Sequence, residues 1–194
     1  MRLGVFGGTF DPPHLGHLIA AQELHAQLAL DRLLLVPAAV PPHKRDRAVT
    51  PPALRLEMLR AAVAGDDRFE VSELELGREG PSYTVDTLRE LRRAHPDAEL
   101  YLAVGADQLA ELETWREPDE IAALATIAAF ARSGQDVPSG LPWPVLMVEV
   151  PAIELSSTAI RRRVAEDRRI RYLVPSPVED VIRRHSLYSQ GSDR

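Results

Sequence analysis

The groups best able to do chemistry are concentrated in Gly7-Gly8-Thr9-Phe10-Asp11-Pro12-Pro13-His14-Leu15-Gly16-His17. This segment follows an apolar run at residues 3–6 and precedes a helical pattern that starts near Leu18. Strand, glycine-rich turn and helix is a layout that gathers backbone N–H groups around a phosphate. Thr9 adds a hydroxyl, and Asp11-Pro12-Pro13 leaves the turn little freedom. His14 and His17 are three apart with Gly16 between them, so both rings can face one site while the backbone stays close. The pattern is neither the dinucleotide GxGxxG nor the P-loop GxxxxGK[ST]. Three readings stay open on these residues alone. They are a phosphate cradle, a tight turn with a helix-capping histidine, and a metal site, for which no third and fourth ligand is visible.

A second constellation, Leu155-Ser156-Ser157-Thr158-Ala159-Ile160-Arg161, lies about 140 positions further on. Ser156, Ser157 and Thr158 fall where a helix would start, and hydroxyls and N–H groups there bind anions with help from the helix dipole. Arg161, one turn on, can reach the same anion with its planar fork. Taken alone, the segment reads first as a plain N-cap followed by a basic face. Residues 161–171 carry six arginines against Glu166 and Asp167, and the plainer account of that run is a solvated helix face.

The elements that must position these groups alternate along the chain. Strands are expected at 3–6, 33–36, 69–76, 100–104, 126–131 and 145–150. Helices are expected at 18–28, 54–63 (with Pro51-Pro52 where a helix start tolerates proline), 85–94, from about 157, and 178–185, with another ending at 121–124. Apolar strands separated by helices predict a doubly wound parallel α/β sheet. The stretches 38–52 and 133–144, rich in Pro or Gly, read as loops at the sheet's functional edge rather than as domain linkers. There is no internal repeat.

The 194-residue chain is expected to form a single domain over 1–194. Its 45% hydrophobic and 27% charged residues are ordinary for a globular protein. The absence of cysteine excludes disulfides and thiolate metal sites and fits a reducing cytoplasm. No signal peptide is expected, because Gly7-Gly8 interrupts the first apolar run, and the longest apolar run, 121–131, is short of the roughly 20 residues that span a bilayer. The net charge of −6 argues against a general nucleic-acid binder. His25, His95 and His185 read as surface or packing residues without partners, and Trp143 as a loop anchor.

The first constellation resembles the nucleotidyltransferase signature in which His-x-Gly-His contacts ATP phosphates. The second resembles that superfamily's Ile-Ser-Ser-Thr-x-x-Arg signature, in the right order. Pro41-Pro42-His43-Lys44, Ser82-Tyr83-Thr84 with Thr87-Leu88, Gly105-Ala106-Asp107-Gln108, Trp115, Tyr172-Leu173-Val174-Pro175, Val178 and Leu187-Tyr188 resemble segments of bacterial nicotinate mononucleotide adenylyltransferases. That resemblance runs nearly end to end and implies a Rossmann-like nucleotidyltransferase fold. It also implies transfer of AMP from ATP to nicotinate mononucleotide, giving nicotinate adenine dinucleotide and pyrophosphate in NAD synthesis.

By the same resemblance, His14, His17 and Arg161 are the catalytic donors. Gly7, Gly8, Thr9, Phe10, Lys44, Ser156, Ser157 and Thr158 hold ATP. Thr84, Asp107, Trp115 and Arg116 hold the mononucleotide, with Trp115 stacked on the pyridine ring and backbone N–H groups at Thr84 and beside Trp115 on the nicotinate carboxylate. Arg116 stands where many relatives have an aromatic, and its charge is expected to attract that carboxylate. No protein metal site is expected; Mg²⁺ would bind mainly through ATP phosphates. The partners implied are ATP and nicotinate mononucleotide, with no nucleic acid and no membrane, and a homo-oligomer is among the assemblies left open. Two alternatives stand beside this reading: an adenylyltransferase for nicotinamide mononucleotide or phosphopantetheine, and a nucleotide-binding regulator that does not turn over.

Overall fold

The computed structural model describes residues 1–39, 49–78, 80–131, 138 and 140–189. Lys44, with the Pro41-Pro42-His43-Lys44 segment, lies outside the described residues, as do parts of the two expected loops.

The chain starts with strand β1 (Arg2–Gly8), whose apolar residues 3–6 are all buried, as a strand covered on both faces requires. Helix α1 (Leu15–Gln27) returns the chain to β2 (Arg32–Pro37), and α2 (Pro52–Val63), with proline in its first turn, leads to β3 (Phe69–Val71). Helix α3 (Thr84–Ala94) precedes β4 (Glu99–Gly105), which runs directly into the short α4 (Ala106–Leu109) and a 3-10 turn at Leu112–Thr114. Then come α5 (Pro118–Leu124), β5 (Thr126–Phe130), β6 (Val145–Val148), α6 (Ser157–Ala165) and α7 (Ser176–Arg184). Among the described residues no helix is long and apolar enough to cross a membrane.

All strand pairs are parallel, in the order β3-β2-β1-β4-β5-β6. This is the expected doubly wound sheet. The order reverses between β1 and β4, and the helices that follow those two strands diverge to leave a crevice at their carboxyl ends. Gly7, Gly8 and Gly105 stand at that edge, so the first constellation sits where the topology opens.

One core layer joins Val5, Val36, Leu88, Leu102 and Ile127 on one face of the sheet; a second joins Phe6, Leu24, Leu35, Leu59 and Ala128 on the other. A third cluster packs Met58 of α2 against Ile160 of α6 and Val178, Val181 and Ile182 of α7. It fixes the helix that carries Arg161 onto the rest of the molecule.

Three expectations need correction. The strand expected at 69–76 ends at Val71, and residues 74–77 form turns in which Leu76 N–H bonds the Glu73 carbonyl. Buried Ser72 and Glu75 account for the polar side of the apparent alternation. Helix α1 starts at Leu15 rather than near Leu18, because His14, in extended backbone, acts as the N-cap and its N–H bonds His17 Nδ1 at 3.2 Å. His185 is not partnerless: its Nε2 lies 3.2 Å from Glu57, which also receives Arg184 at 2.8 Å. Trp143 does anchor its segment, donating to Asp119 at 2.9 Å and packing on the core.

Leu88 of α3 is wholly buried in the first layer. Leu88→Ala is expected to cost about 2–5 kcal/mol of stability in urea denaturation. A loss below about 0.5 kcal/mol, the scale of a surface change, would contradict that packing.

Candidate active site

Residues 7–9 end β1 and turn toward α1. Phe10 follows with a φ of 49°, in the left-handed region that a bulky aromatic seldom occupies. Its ring is buried, edge-on to Phe6 at 5.7 Å and to His17 at 5.1 Å between centroids. Phe10 can therefore meet a ligand only through its backbone, and its side chain serves to set the turn. His14 and His17 stack at 3.7 Å with 25° between their planes. His17 Nδ1 accepts the His14 N–H, which leaves the neutral ring's proton on Nε2 as a donor.

The second constellation folds as its residue types dictate. Ser156 is the N-cap of α6, its hydroxyl accepting from Ala159 N–H at 3.2 Å. The Ser157 hydroxyl donates across 145 positions to the Pro12 carbonyl at 2.9 Å. Arg161 donates to the Asp11 carbonyl at 2.7 Å and to the Thr158 hydroxyl at 3.2 Å. These contacts dock the second constellation onto the first. They also give the Ser157 hydroxyl proton a structural partner.

Together the two segments line one cleft of about 280 Å³. Gly7, Gly8, Thr9, Phe10, His14, His17, Ser156, Ser157, Thr158 and Arg161 all border it, and Asp107 completes the rim. The crowding of imidazoles, α6 N–H groups and a guanidinium suits a polyanion.

A second cleft, of about 370 Å³, opens beside it and shares Gly7, Gly8, Thr9, Asp107 and Gln108. It holds the other predicted residues, Thr84, Trp115 and Arg116. Thr84 is the first residue of α3, where backbone N–H groups have no partner within the helix. Trp115 packs one side on the core and lines the cleft with the rest. Its own N–H bonds Leu112 at 3.0 Å, so the neighbouring donor is that of Arg116. Asp107 is exposed at the start of α4, with Oδ1 accepting from Gln108 N–H at 3.0 Å.

The Arg116 side chain differs from expectation. Its guanidinium lies over the Tyr83 ring at 4.9 Å and faces Asp86 at 3.4 Å and Glu117 at 3.2 Å. Two carboxylates therefore share its charge. Arg89 links Asp86, Glu117 and Glu120 into the same network; its hydrogen bonds to Glu120 and then Glu117 hold the Arg89 guanidinium well above its ordinary pKa, and Arg89 in turn holds the Glu120 carboxyl below its own.

Sequence reasoning missed several lining residues. Glu75 is buried beneath the second cleft and accepts from Thr87 Oγ1 at 2.7 Å, while Arg78 donates to that same hydroxyl at 2.9 Å. It sits in the segment expected to be a strand, and only a buried-acid signal could have found it. Ile153 and Phe130 give the first cleft an apolar wall that no spacing in the sequence marks. Among the described residues no group of three or more His, Asp or Glu is arranged to hold a metal.

The cytidylyltransferase-like family model matches residues 5–163. The chain is 52% identical over 188 residues to a Thermus thermophilus protein named "Probable nicotinate-nucleotide adenylyltransferase", covering 97% of this chain and all of that one. A protein of the same name from Thermomicrobium roseum is 49% identical, covering 96% of this chain and 91% of that one. Plasmodium falciparum nicotinic acid mononucleotide adenylyltransferase, solved with NaAD, superposes with a TM-score of 0.81 at 18% identity, over 96% of this chain and 97% of that one, and shares the fold.

A Cβ added at Gly8 would lie 2.9 Å from the Phe10 ring, which Phe6 and His17 hem in. Gly8→Ala is expected to cost about 1–3 kcal/mol in denaturant titration, as overpacking does. No measurable change would contradict the fixed turn.

Proposed function

The chain belongs to the cytidylyltransferase-like family, among its nicotinate-nucleotide adenylyltransferases, and from that membership we propose how its two clefts carry out the reaction. The enzyme joins ATP and nicotinate mononucleotide into nicotinate adenine dinucleotide and pyrophosphate. One observation carries the assignment of residues: the polyanion cleft and the cleft holding Trp115 share the floor at residues 7–9, so two nucleotides bound in them would meet there.

ATP occupies the first cleft with its phosphates over the β1 turn and the α6 N-terminus. The mononucleotide occupies the second, its flat pyridine ring against Trp115. Its carboxylate takes the backbone N–H groups at Thr84 and Arg116. Donors of that kind favour a carboxylate over a carboxamide, whose NH₂ would face another donor. The Arg116 guanidinium, engaged with Asp86 and Glu117, braces this wall rather than binding the carboxylate.

The mononucleotide 5′-phosphate attacks the α-phosphorus of ATP in line, the new P–O bond forming as the bond to pyrophosphate breaks. A phosphate monoester has its second pKa near 6, so the nucleophile is already ionised at neutral pH and needs no general base. Catalysis is positioning and charge stabilisation. His17 Nε2–H, His14 and the Arg161 fork steady the transferring group and the departing pyrophosphate. When bound, Mg²⁺ held mainly by ATP oxygens and water would supply further charge neutralisation, and Thr9 and Asp107 on the shared floor would hold its waters. The reaction involves small nucleotides in a reducing cytoplasm, in keeping with the net charge of −6 and the lack of cysteine.

Pyrophosphate release from ATP with nicotinate mononucleotide, nicotinamide mononucleotide and phosphopantetheine tests this reading. The nicotinate acceptor should give the highest kcat/KM. Equal or better turnover with the amide would overturn the carboxylate assignment, and no turnover with any acceptor would favour a regulator. His17→Ala should lower kcat by roughly 10²–10³, the effect of one lost transition-state donor, with the fold intact. Trp115→Ala should raise KM for the mononucleotide more than for ATP; an unchanged KM would confine Trp115 to the core.

A further inference from the structure

We infer that Arg55, together with Asp11 and Tyr188, is a positioning unit that holds the ATP cradle in its working shape. The inference rests on the reading of the first cleft as the ATP site.

Arg55 lies on α2 and lines neither cleft, yet it is wholly buried. Its guanidinium donates to three backbone carbonyls: Nε to Thr50 at 2.8 Å, Nη1 to Thr9 at 2.9 Å and Nη2 to Ala39 at 3.2 Å. Thr9 belongs to the floor shared by the two clefts. Ala39 follows β2, and its N–H bonds Ser82 Oγ at 3.0 Å in the wall of the second cleft. One side chain therefore fixes the cradle relative to the neighbouring wall.

Asp11 anchors the same turn from the other side. Its Oδ1 accepts from the Tyr188 hydroxyl at 2.7 Å and its Oδ2 from Thr50 N–H at 3.3 Å. Its carbonyl accepts from Arg161. Burial pushes the Tyr188 hydroxyl far above its ordinary pKa, with the Asp11 charge adding to the shift, so it stays a donor. Burial pulls the Arg55 pKa down, and the Asp11 carboxylate opposes that.

Packing alone would be met better by an aliphatic side chain, because a buried guanidinium is costly to desolvate. What Arg55 supplies instead is a planar fork that holds three carbonyls at fixed angles, with a positive charge behind a site for a polyanion. Lysine keeps the charge and loses the fork.

Two variants test this. Tyr188→Phe removes one hydroxyl and keeps the ring packed; Arg55→Lys removes the fork. Affinity for a non-hydrolysable ATP analogue, and KM for each substrate, are measured on protein whose folded fraction is fixed by thermal unfolding. Tyr188→Phe should weaken analogue affinity and raise KM for ATP by roughly three- to tenfold, the range of one ordinary hydrogen bond, with the mononucleotide KM within about twofold. Arg55→Lys, which also loosens Thr9 of the shared floor and Ala39 beside the second cleft, should weaken analogue affinity more strongly and raise both KM values. A merely structural role would lower the unfolding midpoint and leave both KM values unchanged. That result in Tyr188→Phe, or equal shifts for both substrates in that variant, whose partner Asp11 borders only the first cleft, overturns the inference even if Arg55→Lys does not fold. A wild-type chain that binds the analogue but turns over no mononucleotide would overturn the acceptor assignment instead, and the analogue affinities would still decide this one.

Discussion

The turn that leaves β1 is the constraint on which the rest of the structure depends. It stands where the strand order reverses, so its backbone faces a crevice instead of a covering helix. Residues 7–9 floor both clefts, Phe10 is held in a left-handed conformation by the rings around it, and His14 caps the helix whose first turn carries His17. A shift of this turn would move both imidazoles, the floor and the carbonyl that Arg161 holds.

Contacts from distant parts of the chain converge on that turn. Ser157 and Arg161 reach it across 145 and 150 positions, Tyr188 across 177, and Arg55 from beneath. Most salt bridges elsewhere join half-exposed side chains and contribute little to stability. The two apolar layers and the third cluster under α6 and α7 supply the driving force for folding. Of the seven buried polar or charged residues among the described ones, six lie at or behind the clefts, Asp11, His14, Arg55, Glu75, Ser82 and Thr87, and Ser72 lies in the turn after β3. A core spends polar burial where geometry must be held, and here that is around the two nucleotide clefts.

The parallel sheet was legible because a strand covered on both faces must be an apolar run, as residues 33–36 and 100–104 are. Helix α4 and the 3-10 turn before Trp115 were not, because they are too short to show the period that reveals a helix. The alternation at 69–76 misled because a turn can bury Ser72 and Glu75 as a strand would bury aliphatics. Every expected site residue among the described ones borders one of the two clefts; those at the two helix starts were legible by type and spacing, because the types that bind anions are few, whereas Thr84, Asp107, Trp115 and Arg116 were marked only through the resemblance to relatives. Arg55 escaped notice, and Tyr188 was marked only by resemblance with no role, because their partners are backbone carbonyls and an acid far away in sequence. Arg116 borders the second cleft, but its charge could not be read from the sequence: the carboxylates that engage it, Asp86 and Glu117, come from another helix and from the next residue.

The central claim is that the two clefts bring a phosphate nucleophile directly onto the α-phosphorus of ATP, with no covalent intermediate on the protein. The stereochemical course at that phosphorus tests it most directly, using ATP made chiral there by a single sulfur in place of oxygen and nicotinate mononucleotide as acceptor. One in-line displacement predicts a dinucleotide with inverted configuration. Retention would mean two displacements through an enzyme-bound adenylate and would contradict the account.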